Sequence, residues 1–198
     1  MFSDGKQEKT LLDTADIILP GRHNIENYMT AISNTCGIVS EDIYREVART
    51  FPGVEHRLEF VRELDGVKYY NSSIDSSPSR TAAALSALTV KPIVICGGYD
   101  KNIPFAPLAE ALCERARGVV LTGDTAGKIY DALLAYDGFD AAKLPVHRVD
   151  DFEGAVNEAR KMAQPGGVVL LSPACASFDR FKNFMQRGEC FKKIVNAF

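Results

Sequence analysis

The stretch Gly167-Val168-Val169-Leu170-Leu171-Ser172-Pro173-Ala174-Cys175-Ala176-Ser177, continued by Phe178-Asp179-Arg180-Phe181-Lys182-Asn183-Phe184, decides the fold. Pro165-Gly166-Gly167 opens a short, wholly apolar run, the pattern of a strand buried on both faces in a parallel sheet. Small residues follow and leave little bulk before a helix expected to carry Phe178, Phe181 and Phe184, at least two of them on its inner face. A strand-turn-helix of this kind sits at the carboxyl edge of an open α/β sheet, where free backbone N–H groups and the helix dipole favour an anion. Ser177 is expected to face that crevice.

The same alternation extends back to residue 51. Leu58-Glu59-Phe60-Val61-Arg62 and Val67-Lys68-Tyr69-Tyr70, joined around Asp65-Gly66, read as a β-hairpin. Ser77-Pro78 opens a helix with a capping residue and a proline at the first helical position. Strands are expected over residues 93–96, 119–122 and 146–149, and helices over 105–115 and 126–134. Asp150 and Glu153 have capping-box spacing for a helix reaching Met162, and a closing helix is expected over 191–197. The fold class is therefore α/β, a Rossmann-like, mostly parallel sheet with helices on both faces. Ahead of it, Asn24 is placed to cap a helix that Gly37 ends, and Ser40 a second one to Thr50. Asp16-Ile17-Ile18-Leu19-Pro20-Gly21 offers at most one short strand. Phe51-Pro52-Gly53-Val54 breaks the pattern, so residues 1–50 form a short helical remnant of another domain and 51–198 one complete domain.

At 198 residues with a net charge of −3, both signs interspersed, the chain lacks the basic field that nucleic acid or a membrane surface would require. Five cysteines, odd in number and without a C-x-x-C pair, read as reduced thiols of a cytoplasmic protein. No apolar run approaches the roughly 18 residues of a membrane span, and the first residues lack a signal-peptide pattern.

Gly97-Gly98-Tyr99-Asp100-Lys101 follows a strand and so shares the carboxyl edge with Ser172 to Ser177. Paired glycines let a ligand approach the backbone and Lys101 meets an anion as a point charge; a plain turn with a solvated lysine is the competing reading. Gly123-Asp124-Thr125-Ala126-Gly127-Lys128 has three residues between its glycines where a phosphate loop needs four, and Ile129 replaces the required Ser/Thr. It is rejected as a nucleotide site. His23, His56 and His147 lack metal-site spacings, and no Cys or carboxylate completes one, so no metal is expected. Arg57 suits either a phosphate clamp or an interdomain ion pair. Cys175 has no local histidine and reads as a small buried thiol, while Ser172 and Ser177 fail the G-x-S-x-G pattern. Asn71-Ser72-Ser73-Ile74-Asp75-Ser76-Ser77-Pro78-Ser79-Arg80 is a capping loop or a polar rim that grips a carboxylate or nucleotide; spacing leaves both open.

Leu19-Pro20-Gly21-Arg22-His23-Asn24-Ile25-Glu26-Asn27, Phe51-Pro52-Gly53-Val54-Glu55-His56-Arg57, Tyr70-Asn71-Ser72-Ser73, Gly97-Gly98-Tyr99-Asp100-Lys101 and Ser172-Pro173-Ala174-Cys175-Ala176-Ser177-Phe178-Asp179 occur in this order. Together they resemble the Mur ligases, most nearly the branch that adds D-glutamate to UDP-N-acetylmuramoyl-L-alanine in peptidoglycan synthesis. The resemblance runs from Ile17 onward and covers the carboxyl-terminal portion of such an enzyme. It implies an ATP- and Mg2+-dependent amide ligase working through an acyl phosphate. Residues 1–50 would be the tail of its central ATP-binding domain, and 51–198 its amino-acid-binding domain; the preceding domains would be its partners.

By matched position, the resemblance implies that Lys101, Ser177, Ser76, Phe178 and Phe184 bind D-glutamate, and that Asn24, Arg57, Asn71 and Ser72 serve the nucleotide. No catalytic residue of this portion is implied. The family loop reads Asn-Asp-Ser-Lys-Ala-Thr; here Ser72 lacks the acid and Ile74 the lysine, with Asp75 or Arg80 the candidates to compensate. With no phosphate loop, the chain by itself is expected to bind no ATP or Mg2+ and to be inactive. The competing readings are another glutamate-adding ligase, of the folylpolyglutamate synthase type, and a non-catalytic Rossmann-like binding module.

Overall fold

The computed structural model describes residues 2–3, 8–19 and 21–198, with the backbone alone at Phe2, Ser3, Glu8, Lys9 and His23; Pro20 and the His23 side chain of the amino-terminal motif lie outside the described residues. The chain divides into two compact units, Met1–Gly53 and Val54–Phe198.

In the first unit, β1 (Phe2–Ser3) and β2 (Glu8–Lys9) pair antiparallel. A single 3-10 turn, Thr14–Asp16, follows; it is capped by the Asp13 carboxylate, which accepts from Ala15 N–H at 2.9 Å. Asp16–Gly21 holds no strand among its described residues. Helix α1 (Arg22–Thr35) begins at a Gly21 N-cap with φ 99°, so Asn24 lies inside the first turn rather than capping it. Cys36 ends that helix, and Gly37 follows at φ 80°. Helix α2 (Glu41–Thr50) starts after Ser40, whose side chain makes no capping bond.

The second unit carries a six-stranded sheet. Strands β3 (Glu59–Leu64) and β4 (Val67–Asn71) form the expected hairpin, whose turn residues Asp65 and Gly66 take φ 54° and 75°. There follow α3 (Pro78–Ala87), β5 (Ile93–Cys96), α4 (Ala106–Arg115), β6 (Gly118–Leu121), α5 (Ala126–Leu134), β7 (Val146–Arg148), α6 (Phe152–Met162), β8 (Val168–Leu171) and α7 (Phe184–Asn196). The order across the sheet is β3-β4-β8-β5-β6-β7, with only the β3–β4 pair antiparallel.

Period-two side-chain alternation splits the core in two. Val94, Cys96, Val119, Leu121 and Leu170 face Leu85, Leu108, Leu112, Ile129 and Leu133 of α3, α4 and α5. Ile93, Ile95, Val120, Val169 and Leu171 face Phe152, Val156, Phe191 and Val195 of α6 and α7. Adjacent β8 and β5 therefore send their following helices to opposite faces, the topological switch point at whose carboxyl ends open α/β sheets bind ligands.

Two expectations fail in the decisive stretch. No helix follows Ser177: residues 172–183 are irregular, and α7 begins at Phe184, seven residues before the expected start. Asn183 sets that start by accepting from Gln186 N–H at 2.8 Å, while Gln186 Oε1 accepts from Lys182 N–H at 2.8 Å. Phe178, Phe181 and Phe184 thus share no helix face. Phe178 is exposed, Phe181 packs on Phe152 at 5.1 Å, and Phe184 opens α7. In α6 the cap is Asp151, not Asp150; its carboxylate accepts from Gly154 N–H at 2.6 Å.

Candidate functional site

Four strand-end loops meet at the carboxyl edge of the second unit: residues 72–77, 97–105, 122–125 and 172–183. Main chain ties them together. Gly97 N–H donates to Pro173 O at 2.8 Å and Tyr99 N–H to Ala176 O at 2.9 Å, and Tyr99 and Ala176 form an isolated antiparallel bridge. Thr125 Oγ1 donates to Gly98 O and accepts from Gly98 N–H, both at 3.0 Å. The glycine pair permits this convergence. A Cβ on Gly97, where φ is 118°, would lie 1.8 Å from Thr122 O, and one on Gly98 would lie 2.3 Å from Ala176 O. The Gly123–Lys128 segment is likewise a loop staple, and Lys128 pairs with Asp100.

Beneath the edge lies Arg187, 2% exposed. Its Nε donates to Ser73 Oγ (3.0 Å), Nη1 to Ala176 O (3.0 Å), and Nη2 to Ser73 O (2.9 Å) and Cys175 O (3.0 Å). Burial lowers its pKa to about 10, partly offset by Cys175 and by the carboxylates of Asp179 and Asp75, so it remains a cation near neutrality. The chain surrenders those loop carbonyls to one guanidinium, which sets the 72–77 loop against the 172–183 loop. Burial raises the pKa of Asp75, partly offset by the Ser72 and Ser172 hydroxyls and by Arg80 and Arg57. The Ser172 hydroxyl donates to Asp75 Oδ2 at 2.8 Å, so Asp75 belongs to the loop's interior rather than its rim. Cys175 is buried and its pKa is pushed up to about 11 by desolvation, an inert thiol as read from sequence.

Residues 56–175 match the family model described as Mur ligase, glutamate ligase domain. The chain belongs to that family. A UDP-N-acetylmuramoylalanine--D-glutamate ligase of Acetivibrio thermocellus is 46% identical over 100% of this chain and 43% of the relative. One from Clostridium beijerinckii is 48% identical over 96% of this chain and 42% of its own length. The chain thus spans less than half the length of the curated relatives it matches. Among solved structures, the bifunctional folylpolyglutamate synthase/dihydrofolate synthase of Yersinia pestis aligns over 98% of this chain and 42% of that one, with a TM-score of 0.65 at 16% identity. A Mycobacterium tuberculosis folylpolyglutamate synthase complexed with ADP and AMPPCP aligns over 87% and 41%, with a TM-score of 0.60 at 14% identity. At such identities the likeness is one of fold.

In this Mur ligase domain, Lys101 and Ser76 meet: Lys101 Nζ donates to Ser76 Oγ at 3.5 Å, both on the carboxyl edge. Ser177 is buried to 2% exposure, one residue past the bridge that joins its loop to Tyr99. Phe178 touches Tyr99 edge to face at 6.0 Å. The Phe184 carbonyl accepts from Ser73 Oγ at 2.8 Å, and its ring stands edge-on to His56 at 5.8 Å. Asn71 and Ser72 are buried and engaged within the chain. Asn71 Nδ2 donates to Glu59 Oε2 and lies 2.9 Å from His56 Nδ1, and Ser72 Oγ accepts from Leu58 N–H at 3.1 Å. Arg57 is exposed on the second unit; Asn24 belongs to the first.

Sequence spacing missed two features of this domain. The first is Arg187, whose local sequence gives no sign that it would be buried. The second is a polar cluster where, contrary to expectation, carboxylates do approach a histidine: ligand atoms of Glu55, His56 and Glu189 lie within 4.8 Å of one another. Lys192 fills it, with Nζ 2.5 Å from Glu55, 2.7 Å from Glu189 and 3.2 Å from Glu59. Desolvation opposes that ammonium, yet the carboxylates outweigh it and raise its pKa. The cluster carries its own counter-ion. Gly188 lets α7 reach it, since a Cβ there would lie 2.3 Å from His56 Nδ1.

Proposed function

We propose that this chain is the amino-acid-binding portion of an ATP-dependent amide ligase that joins D-glutamate to UDP-N-acetylmuramoyl-L-alanine in cytoplasmic peptidoglycan synthesis. The observation that carries the proposal is identity of 46–50% to D-glutamate ligases over 91–100% of the chain. Structural likeness to folylpolyglutamate synthases at 14–16% identity speaks to fold and does not favour a folate substrate.

D-glutamate carries two carboxylates and must present its amine unprotonated to an activated carbonyl. Lys101 and the hydroxyls of Ser76 and Ser177 are assigned to the carboxylates, with Phe178 and Phe184 bounding the pocket. Holding both carboxylates fixes the amine's trajectory, so orientation is this domain's share of catalysis. The amine nitrogen forms the new C–N bond with the acyl phosphate of the acceptor, the C–O bond to phosphate breaks, and the amine loses a proton. Arg57 and Asn24 are assigned to the nucleotide, with Asn71 and Ser72 keeping the shape of the loop on its side. The 198 residues contain no G-x-x-x-x-G-K-[ST], and the Glu55–Glu189 pair is held by Lys192. These residues do not compose a cradle for ATP phosphates and Mg2+, and we assign them no part in phosphoryl transfer.

By matched position, the first unit is assigned to the tail of a central ATP-binding domain. Ile18, Met29, Ile38, Ile43 and Val47 are exposed, apolar surface suited to packing on further chain. The test is a chimera in which this chain replaces the matching portion of the Acetivibrio thermocellus ligase. Phosphate release dependent on ATP and D-glutamate is expected. Lys101→Met in the chimera should lower kcat/KM for D-glutamate about 100-fold, the scale of one lost charge-assisted contact. A folded chimera that prefers L-glutamate, or is indifferent to Lys101→Met, refutes the assignment.

A further inference from the structure

An acidic amino acid has an apolar stem between its two carboxylates, so a site for it needs polar groups at the ends and an apolar surface between them. Tyr99, on the same loop as Lys101, and Phe178 offer such a surface. They remain 43% and 65% exposed, and their rings meet at 6.0 Å and 75°. The Tyr99–Ala176 bridge sets the two rings in register from separate loops. Lys101, two residues beyond Tyr99, reaches Ser76 Oγ and has no carboxylate partner among the described residues.

We infer that Tyr99 is a specificity-determining residue. Its ring, backed by Phe178, packs on the methylene stem of the acidic amino acid whose carboxylate Lys101 holds. The inference rests on the function proposed above and adds to it a residue to which the family resemblance gives no role. Apolar contact needs the ring and not the phenol, so phenylalanine should serve at this position. Discrimination follows: a ligand without the stem gains nothing from the ring.

The test is titration of the isotopically labelled chain with D-glutamate and with D-alanine, read by amide chemical shifts, for the parent, Tyr99→Ala, Tyr99→Phe and Lys101→Met. Tyr99→Ala is expected to raise the Kd for D-glutamate about tenfold, equivalent to about 1.4 kcal/mol, and to leave D-alanine unaffected. Tyr99→Phe should stay within about twofold of the parent. If Lys101→Met loses binding while Tyr99→Ala does not, the inference fails and the proposed function stands. A lower thermal midpoint for Tyr99→Ala with unchanged Kd marks a mere loop staple and also overturns it. A parent that does not saturate, or a Lys101→Met that binds as the parent does, overturns both.

Discussion

Asp75 shows how a single side chain can be mistaken for a rim group. It stands in a hydroxyl-rich loop with Arg80, yet its carboxyl is buried and bonded to Ser172 Oγ, which in turn lies 2.9 Å from Thr81 Oγ1. Burial disfavours the charged form and raises the pKa from the usual 3.8. The folded chain therefore holds this proton more tightly than the unfolded one. Its contribution to stability is complete below 3.8 and is lost as pH rises through the folded value. Asp75→Asn keeps an acceptor for Ser172 but does not titrate. It should gain stability relative to the parent between about pH 4 and about pH 7, as urea denaturation at the two values would reveal. An equal difference at both would show that Asp75 ionises in the folded chain as freely as in the unfolded one.

Among the elements, the boundaries of α7 and α3 test what a capping residue contributes. Asn183 accepts from Gln186 N–H, whereas Ser77 makes no capping bond and its hydroxyl instead lies 3.2 Å from Ser79 Oγ. Asn183→Ala should cost about 1 kcal/mol in chemical denaturation and Ser77→Ala less than about 0.5 kcal/mol. Equal losses would mean that residue type, not the observed bond, sets the effect. The Asn183-x-x-Gln186 spacing was visible in the sequence. The phenylalanine spacing upstream suggested an earlier helix, but the 172–183 loop instead spends its carbonyls on Arg187, and its Ala174 takes φ 59°, outside helical geometry.

Across the molecule, the two units differ in how much they bury. The second holds Leu108, Leu112, Leu121, Leu133, Leu170 and Phe191 at 0% exposure, and each such side chain contributes roughly 1.5–3 kcal/mol. In the first, only Tyr44 and Ala48 are buried among the described residues. Residues Phe51, Pro52 and Val54 at the junction are exposed. Limited thermolysin digestion should therefore cut within the first 54 residues and leave Val54–Phe198 resistant. Early cleavage within residues 58–198 would contradict this division. No helix among the described residues is long and apolar enough to cross a membrane.

Alternating apolar runs and turn residues were enough to place every strand of the main sheet to within two residues at each end and its helices on two faces. Periodicity records which side of an element is buried, and that is a local property. The two glycines after Cys96 were legible as special, but not what they admit, because the atoms they approach, Thr122 O and Ala176 O, come from distant loops. Arg187, Asp75 and the Lys192 cluster were hidden for the same reason. A charged residue reads as solvated until folding brings it the carbonyls, hydroxyls or carboxylates that make burial tolerable, and the partners Ala176 O, Ser172 Oγ and Glu55 lie 11, 97 and 137 residues away in sequence.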